Sequence, residues 1–187
     1  MNPLLIDFPE ALETKRLLIR PPLPGDGREL KTAIADSIEE LQIWMPWATS
    51  VPTLEEAESN VRKAHAQFLA RKDLRLHLFL KGKRTLIGCS GLHRINWEVP
   101  KFEIGYWCRT PFVGRGYIRE AVAAIVRFAF EHLKAQRVEI RCDPLNERSR
   151  KIPQALDFQL EGTLRNDDRS PRGELRDTLV FAKTPAD

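Results

Sequence analysis

The stretch that most constrains what this chain can fold into is RTPFVGRGYIREAVAAIVRFAFEHL, from Arg109 to Leu133. It sets Gly114-Arg115-Gly116 directly before a segment that is apolar on most of its faces and long enough for a buried helix. A glycine pair lets the backbone take positive φ and lets a ligand approach the main chain, because no Cβ intervenes. The first N–H groups of the helix behind it lack intrahelical partners and carry the positive end of the peptide dipoles, so a phosphate or pyrophosphate is a natural occupant. The competing reading of a glycine pair is a plain surface turn. Two other nucleotide motifs are absent: a dinucleotide fingerprint needs a third glycine where Arg119 stands, and no G-x-x-x-x-G-K-[ST] run exists.

A chain of 187 residues is long enough for one well-buried core and short for two, which predicts a single domain over 1–187. Thirty basic against 26 acidic residues leave a net charge of +4, too small and too interspersed to point to nucleic acid. The N-terminus lacks the basic start and apolar core of a secretion signal, and no apolar run reaches the ~20 residues of a membrane span. Cys89, Cys108 and Cys142 are odd in number and sit in strand-like runs, which suits reduced core thiols better than a disulfide or zinc framework. A cytoplasmic protein without metal, nucleic-acid or membrane partners is expected, with an oligomer left open.

Local pattern predicts the order of elements. RLLIRP (Arg16 to Pro21) reads as a strand, and Leu30 and Ile34 have helical spacing. Ser37 with Glu40 forms a capping-box pattern that restarts a short helix through Leu41 and Trp44, while MPWATSVP must be a loop. Thr53 with Glu56 is a second capping box, followed by Ala57, Val61, Ala64 and Phe68 at helix spacing. A hairpin is predicted from strands near Leu76 to Leu80 and Leu86 to His93, then KFEIGYWC as a further strand. After the long helix, RVEIRCD reads as a strand parallel to KFEIGYWC. NERSRKIPQAL reads as a helix disturbed by its proline, and FQLEGTLR with DTLVFAK as a terminal hairpin.

Taken together, TKRLLIRP, LQIWMPWA, FEIGYWCRTPFVGRGYIREAV, RVEIRCDPLNERS, FQLEGTLR and GELRDTLVFAK resemble, in order and spacing, the GCN5-related N-acetyltransferases (GNAT), most closely the RimJ/RimL type that acetylates protein N-terminal amines. The resemblance spans about Thr14 to Lys183. It implies a mixed α/β fold, a mostly antiparallel central sheet with one splayed parallel pair, flanked by helices. It implies acetyl transfer from acetyl-CoA, a cosubstrate, to a primary amine without a metal. A protein or peptide N-terminus is the first acceptor, with small-molecule amines or a non-catalytic acyl-CoA-binding module as alternatives.

The resemblance also implies a site. The family's pyrophosphate loop, Q/R-x-x-G-x-G/A, falls on Val113, Gly114, Arg115, Gly116, Tyr117 and Ile118, with Val113 and Ile118 departing from the usual end residues. A strand N–H near Trp107 or Cys108 polarises the thioester carbonyl, which is oxyanion-hole logic without a dedicated side chain. Asn146 contacts the coenzyme, and Ser149 contacts it and protonates its departing thiolate; the local alternatives are an N-cap and a first-turn polar residue. Glu103 is the first candidate base, on one strand face with Gly105 and Trp107, and His93 is the second, bordering the acceptor. Trp44, Met45 and Trp47 match a loop beside the amine cleft, and core anchoring is their alternative. Pro153 and Asp157 strain the match: the proline predicts a kinked helix or one starting near Ser149 or Arg150, and Asp157 stands where a left-handed cap is expected.

Overall fold

The structure is a computed structural model and describes residues 2–187. Its frame is one eight-stranded sheet in the order β1-β2-β3-β4-β5-β6-β8-β7. The strands are β1 (Leu12–Glu13), β2 (Leu17–Arg20), β3 (Leu74–Leu80), β4 (Leu86–Asn96), β5 (Lys101–Cys108), β6 (Arg137–Cys142), β7 (Gln159–Arg169) and β8 (Leu175–Lys183). Every neighbouring pair is antiparallel except β5 and β6, which run parallel from Lys101↔Arg137 only to Glu103↔Glu139. Beyond Glu103 the two strands part, and the sheet opens between them.

Helices cover both faces. On one side lie α1 (Gly27–Ala35), α2 (Ile38–Trp44) and α3 (Leu54–Leu69), and α4 (Tyr117–Glu131) lies on the other. α3 forms because Ala57, Val61, Ala64 and Phe68 recur on one face and are buried, and because Thr53 and Glu56 close the predicted capping box. A cap of this kind contributes about 1 kcal/mol. α4 buries Ala121, Val122, Ile125, Phe128 and Ala129 against Leu17, Leu78, Phe102, Ile104 and Ile140 in the larger core. The smaller core joins Leu30, Ala33 and Ile34 of α1 to Val61, Phe79, Leu86 and Cys89. All three cysteines are free thiols.

Two local expectations are corrected. Ser37 stands at the N-cap of α2, but its hydroxyl does not cap that helix. It donates to Ala33 O at 2.8 Å and accepts from Thr110 N at 2.9 Å, so it ties the α1–α2 corner to the loop after β5. The helix carrying Pro153, α5 (Glu147–Gln154), starts at Glu147, before Ser149. Asn146 Oδ1 accepts from Ser149 N at 3.0 Å and fixes that start, and the proline falls in the last turn, where the helix has one further residue to run. Asp157 takes the left-handed cap at φ 57°.

Candidate active site

The opening between β5 and β6 organises the site. Arg109 N–H donates to Ile87 O at 2.8 Å, and antiparallel alternation then turns the amides of Tyr106 and Cys108 away from β4 and towards the gap. These N–H groups are available to a carbonyl because no strand pairs with β5 on that side beyond Glu103.

At the end of the gap, one 3₁₀ turn (Thr110–Phe112) leads into the glycine loop. Gly114 has φ 79° and Gly116 φ 76°, both left-handed, and α4 begins immediately after. That conformation is costly for residues with a Cβ, so glycine suits both positions. The loop is clamped from the residue just before β2. Arg16 Nη1 donates to Arg115 O at 2.9 Å, and its guanidinium lies 4.3 Å from the centre of the Tyr117 ring. Arg16 Nε also meets Glu120 at 2.6 Å, and Glu120 accepts from Thr14 Oγ1 and Arg16 N as well. Burial pushes the Glu120 carboxyl up, but these hydrogen bonds outweigh it and hold the group below its ordinary value. Arg16 thus neutralises the one carboxylate in the first turn of α4, where it would otherwise repel an anion. The Arg115 side chain lies beside the Phe112 ring at 5.6 Å.

Across the gap, Ser149 stands in the first turn of α5. Its Oγ lies 3.3 Å from Tyr106 Oη, and Tyr106 Oη donates to Ser149 O at 2.9 Å. Burial raises the Tyr106 phenol, so it stays a donor. Burial likewise pushes the Cys108 and Cys142 thiols up to about 11. These are not reactive thiolates at neutral pH.

On the α1–α3 side of β4 and β5 a cavity of about 590 Å³ opens, with Cys89, Ser90, His93, Gly105, Tyr106 and Trp107 as its floor and Met45, Trp47, Glu56 and Asn60 among its walls. His93 Nδ1 meets Asp73 Oδ2 at 2.7 Å. A carboxylate only accepts, so Nδ1 carries a proton, and in the neutral imidazole the lone pair then lies on Nε2. The ring lies over glycine backbone: a Cβ at Gly105 would stand 3.3 Å from His93 Cδ2 and 3.5 Å from Nε2.

The sequence-predicted residues therefore separate into groups. Val113 to Ile118 follow the β5 end at Trp107 and Cys108 in the chain, Ser149 meets Tyr106 of β5, and Asn146 caps the start of α5. His93, Met45, Trp47 and Trp107 line the cavity. Trp44 does not: it packs under Arg176, whose guanidinium lies 5.1 Å from its ring and pairs with Asp143 at 2.8 Å. Glu103 is also outside the lining. It lies at the closed end of the gap, 3.5 Å from Arg141 Nε and 3.6 Å from Arg94 Nε. Arg16, Asp73, Tyr106 and Glu120 were not foreseen as site residues. Hairpin register is the signal that bears on Asp73; no local signal marks Arg16.

A sheet splayed beside a glycine loop at a helix N-terminus, with a cavity on the opposite side, is the architecture of an acyl-CoA N-acyltransferase. The family described as "Acetyltransferase (GNAT) domain" matches residues 16–159, and the chain belongs to that family. It is an acetyl-CoA-dependent acetyltransferase. It is 29% identical over 144 residues, 76% of this chain and 78% of the relative, to YdaF of Bacillus subtilis (strain 168), whose name carries a provisional ribosomal N-acetyltransferase assignment. The fold is that of the microcin self-immunity acetyltransferase MccE, solved with acetyl-CoA and AMP, at a TM-score of 0.87, 21% identity and coverage of 95% and 97% of the two chains. It is also that of RimL, a ribosomal-protein α-N-acetyltransferase solved with coenzyme A, at a TM-score of 0.87, 19% identity and coverage of 94% and 98%. The expected GNAT membership, RimJ/RimL likeness and sheet architecture are borne out.

Proposed function

We propose that this enzyme acetylates a primary amine, first of all a protein or peptide N-terminal α-amine, by direct attack on the thioester of acetyl-CoA. The observation that carries this reading is the His93–Asp73 pair in a cavity whose floor also contains Tyr106 and Trp107, at the strand opening. An α-amine with a reference pKa near ~8 needs only a modest base. His93, with Nε2 unprotonated, takes the amine proton as the nitrogen attacks, directly or through one water. The Cys108 amide, helped by that of Tyr106, supports the carbonyl oxygen as it gains charge. The C–S bond breaks, and the departing thiolate takes the Ser149 hydroxyl proton; His93 releases the amine proton to solvent and solvent restores the serine hydroxyl, so the proton lost by the amine balances the one gained by the thiol. The amides of the Gly114–Gly116 loop and the first turn of α4 hold the pyrophosphate, with Arg115 beside it.

In this reading His93 replaces Glu103 as the base. The flanking arginines and the position outside the cavity lining argue for a structural Glu103. Trp47, half exposed at the rim, gives an apolar wall on which the end of a peptide packs. The test is an acceptor panel read by mass spectrometry: N-terminal peptides, polyamines and aminoglycosides with acetyl-CoA. Acetylation confined to peptide α-amines supports the reading, and turnover only on small polyamines or aminoglycosides overturns its acceptor assignment.

A further inference from the structure

Pro153 occupies the position in α5 four residues after Ser149. In a regular helix the N–H of residue 153 would donate to the Ser149 carbonyl, but proline has no N–H and its ring crowds that carbonyl. The neighbouring bonds are intact: Arg150 N donates to Asn146 O at 3.0 Å and Ala155 N to Lys151 O at 3.1 Å. The carbonyl left open is the one that accepts the Tyr106 phenol at 2.9 Å. The same phenol oxygen stands 3.3 Å from Ser149 Oγ, placed to accept its hydroxyl proton.

Tyr106 reaches from β5 to α5 across the part of the sheet where β5 and β6 no longer pair. One side chain therefore fixes both the carbonyl and the hydroxyl of Ser149. We propose that Pro153 and Tyr106 are positioning residues for Ser149, the proline by freeing its carbonyl for the phenol and the phenol by holding Oγ at the edge of the gap, from where the hydroxyl hydrogen turns from the phenol oxygen to the thiolate as it forms. The inference rests on the proposed role of Ser149 and extends it to two side chains, the proline ring and the phenol, that act through Ser149. It turns an irregularity of the helix into a device: a better helix here is a worse site.

That opposition is what a merely structural proline would not produce. Pro153→Ala restores an N–H that competes for the Ser149 carbonyl. The expected result is a Tm equal to or above that of the parent, with kcat lowered about tenfold or more and KM for acetyl-CoA little changed. Tyr106→Phe should lower kcat alike, and the double variant should be no worse than the poorer single one, because both remove the same arrangement. A spectroscopic readout is available because the chain has only two tyrosines, Tyr106 and Tyr117. With ring-labelled tyrosine, the Tyr106 Cζ resonance, assigned by its loss in Tyr106→Phe, should move in Pro153→Ala. An unmoved resonance with unchanged kcat overturns the proposal. So does a Pro153→Ala loss that adds fully to that of Tyr106→Phe. Full turnover in Ser149→Ala overturns the Ser149 role and the catalytic consequence drawn from it, while the resonance still decides the hydrogen-bond arrangement.

Discussion

Two aspartate–histidine pairs lie on the same face of the sheet, and they differ in what surrounds them. His77 on β3 and Asp26 at the start of α1 meet at 3.2 Å with their side chains 0% and 4% exposed. Arg20 holds the Asp26 carboxylate with two bonds, at 2.7 and 2.8 Å, and Leu23 N adds a third contact. His93 and Asp73 meet at 2.7 Å with side chains 29% and 26% exposed, and His93 opens on the cavity. The residue types are the same, yet the first pair is sealed in the core and carries an arginine on its carboxylate. Among the described residues the second has no arginine ion pair, and its histidine faces the cavity rather than the core. Chemistry at this face is decided by access and by the third partner, not by the presence of a histidine beside a carboxylate.

The sharpest test of that contrast is His93→Ala. Loss of a general base lowers turnover by about 10²–10⁴-fold, and because the ring is at the cavity rather than in the core, Tm should stay near that of the parent. Steady-state kinetics beside a thermal melt checks both halves. A variant that melts early while retaining kcat would make the two pairs alike.

The core pair should respond in the opposite sense. Asp26→Ala leaves Arg20 and His77 without their carboxylate, and breaking a buried ion pair costs about 3–5 kcal/mol. Tm should drop, with kcat per folded molecule preserved in the cold. Acid should expose the same pair. Burial, the largest influence on His77, depresses its protonation against the pull of Asp26. For Asp26, burial pushes the carboxyl up, but Arg20, His77 and Leu23 together bring it well below the usual carboxylate range. In both cases the unfolded chain binds a proton that the folded chain resists. Stability contributed by the pair is therefore present above the unfolded values, begins to fall below about pH 6.5 through His77, and falls further below about pH 4 through Asp26. Melts between pH 7 and 3 measure the two limbs, and a flat profile would deny the core pair its role.

Asp73→Asn sharpens the cavity side by a smaller amount. An amide can donate to Nδ1 and put the proton on Nε2, the wrong tautomer for a base. The expected loss in kcat is roughly 10- to 100-fold, less than the ~10⁴ of a fully buried triad carboxylate. Its pH–rate profile should move with it, which a purely structural aspartate would not cause.

Why the glycine loop was legible in sequence and this pair was not follows from how each is built. The loop is six consecutive residues whose turn depends on two glycines, so Gly114 and Gly116 announce it locally, and their positive φ values agree. Capping at Thr53, the β3–β4 hairpin, β5 and α4 were legible for the same local reason. Asp73 faces His93 only through register. Near the turn Phe79 pairs with Leu86, but further along Leu78 pairs with Gly88, so Ile87 is an extra residue on β4. Carried from the turn without that bulge, the register would set His93 opposite Lys72. One inserted residue exchanges a cation for the carboxylate, and no local propensity encodes it. Trp44 fails as a cavity residue for a similar reason: Arg176, 132 positions along the chain, draws it away.

Glu103→Gln is the smallest expected effect and tests the placing of the base. Glu103 pairs in register with His93, so the two stand side by side, and sequence pattern alone favours the carboxylate. The structure surrounds it differently: Arg94 and Arg141 flank the same oxygen at 3.6 and 3.5 Å, and Arg141 also approaches Glu139 at 3.7 Å. Two guanidinium groups beside one oxygen engage the carboxylate in an ion-pair network, and it stands outside the cavity lining. The amide is isosteric and removes one charge from a network that retains Glu139 and Glu161 around Arg137. Turnover within about threefold of the parent is expected, a change in barrier of ~0.7 kcal/mol or less. A loss as large as that of His93→Ala, with KM for acetyl-CoA unaltered, would return the base to β5 and leave His93 to orient the acceptor, reversing the roles of two neighbours on one sheet.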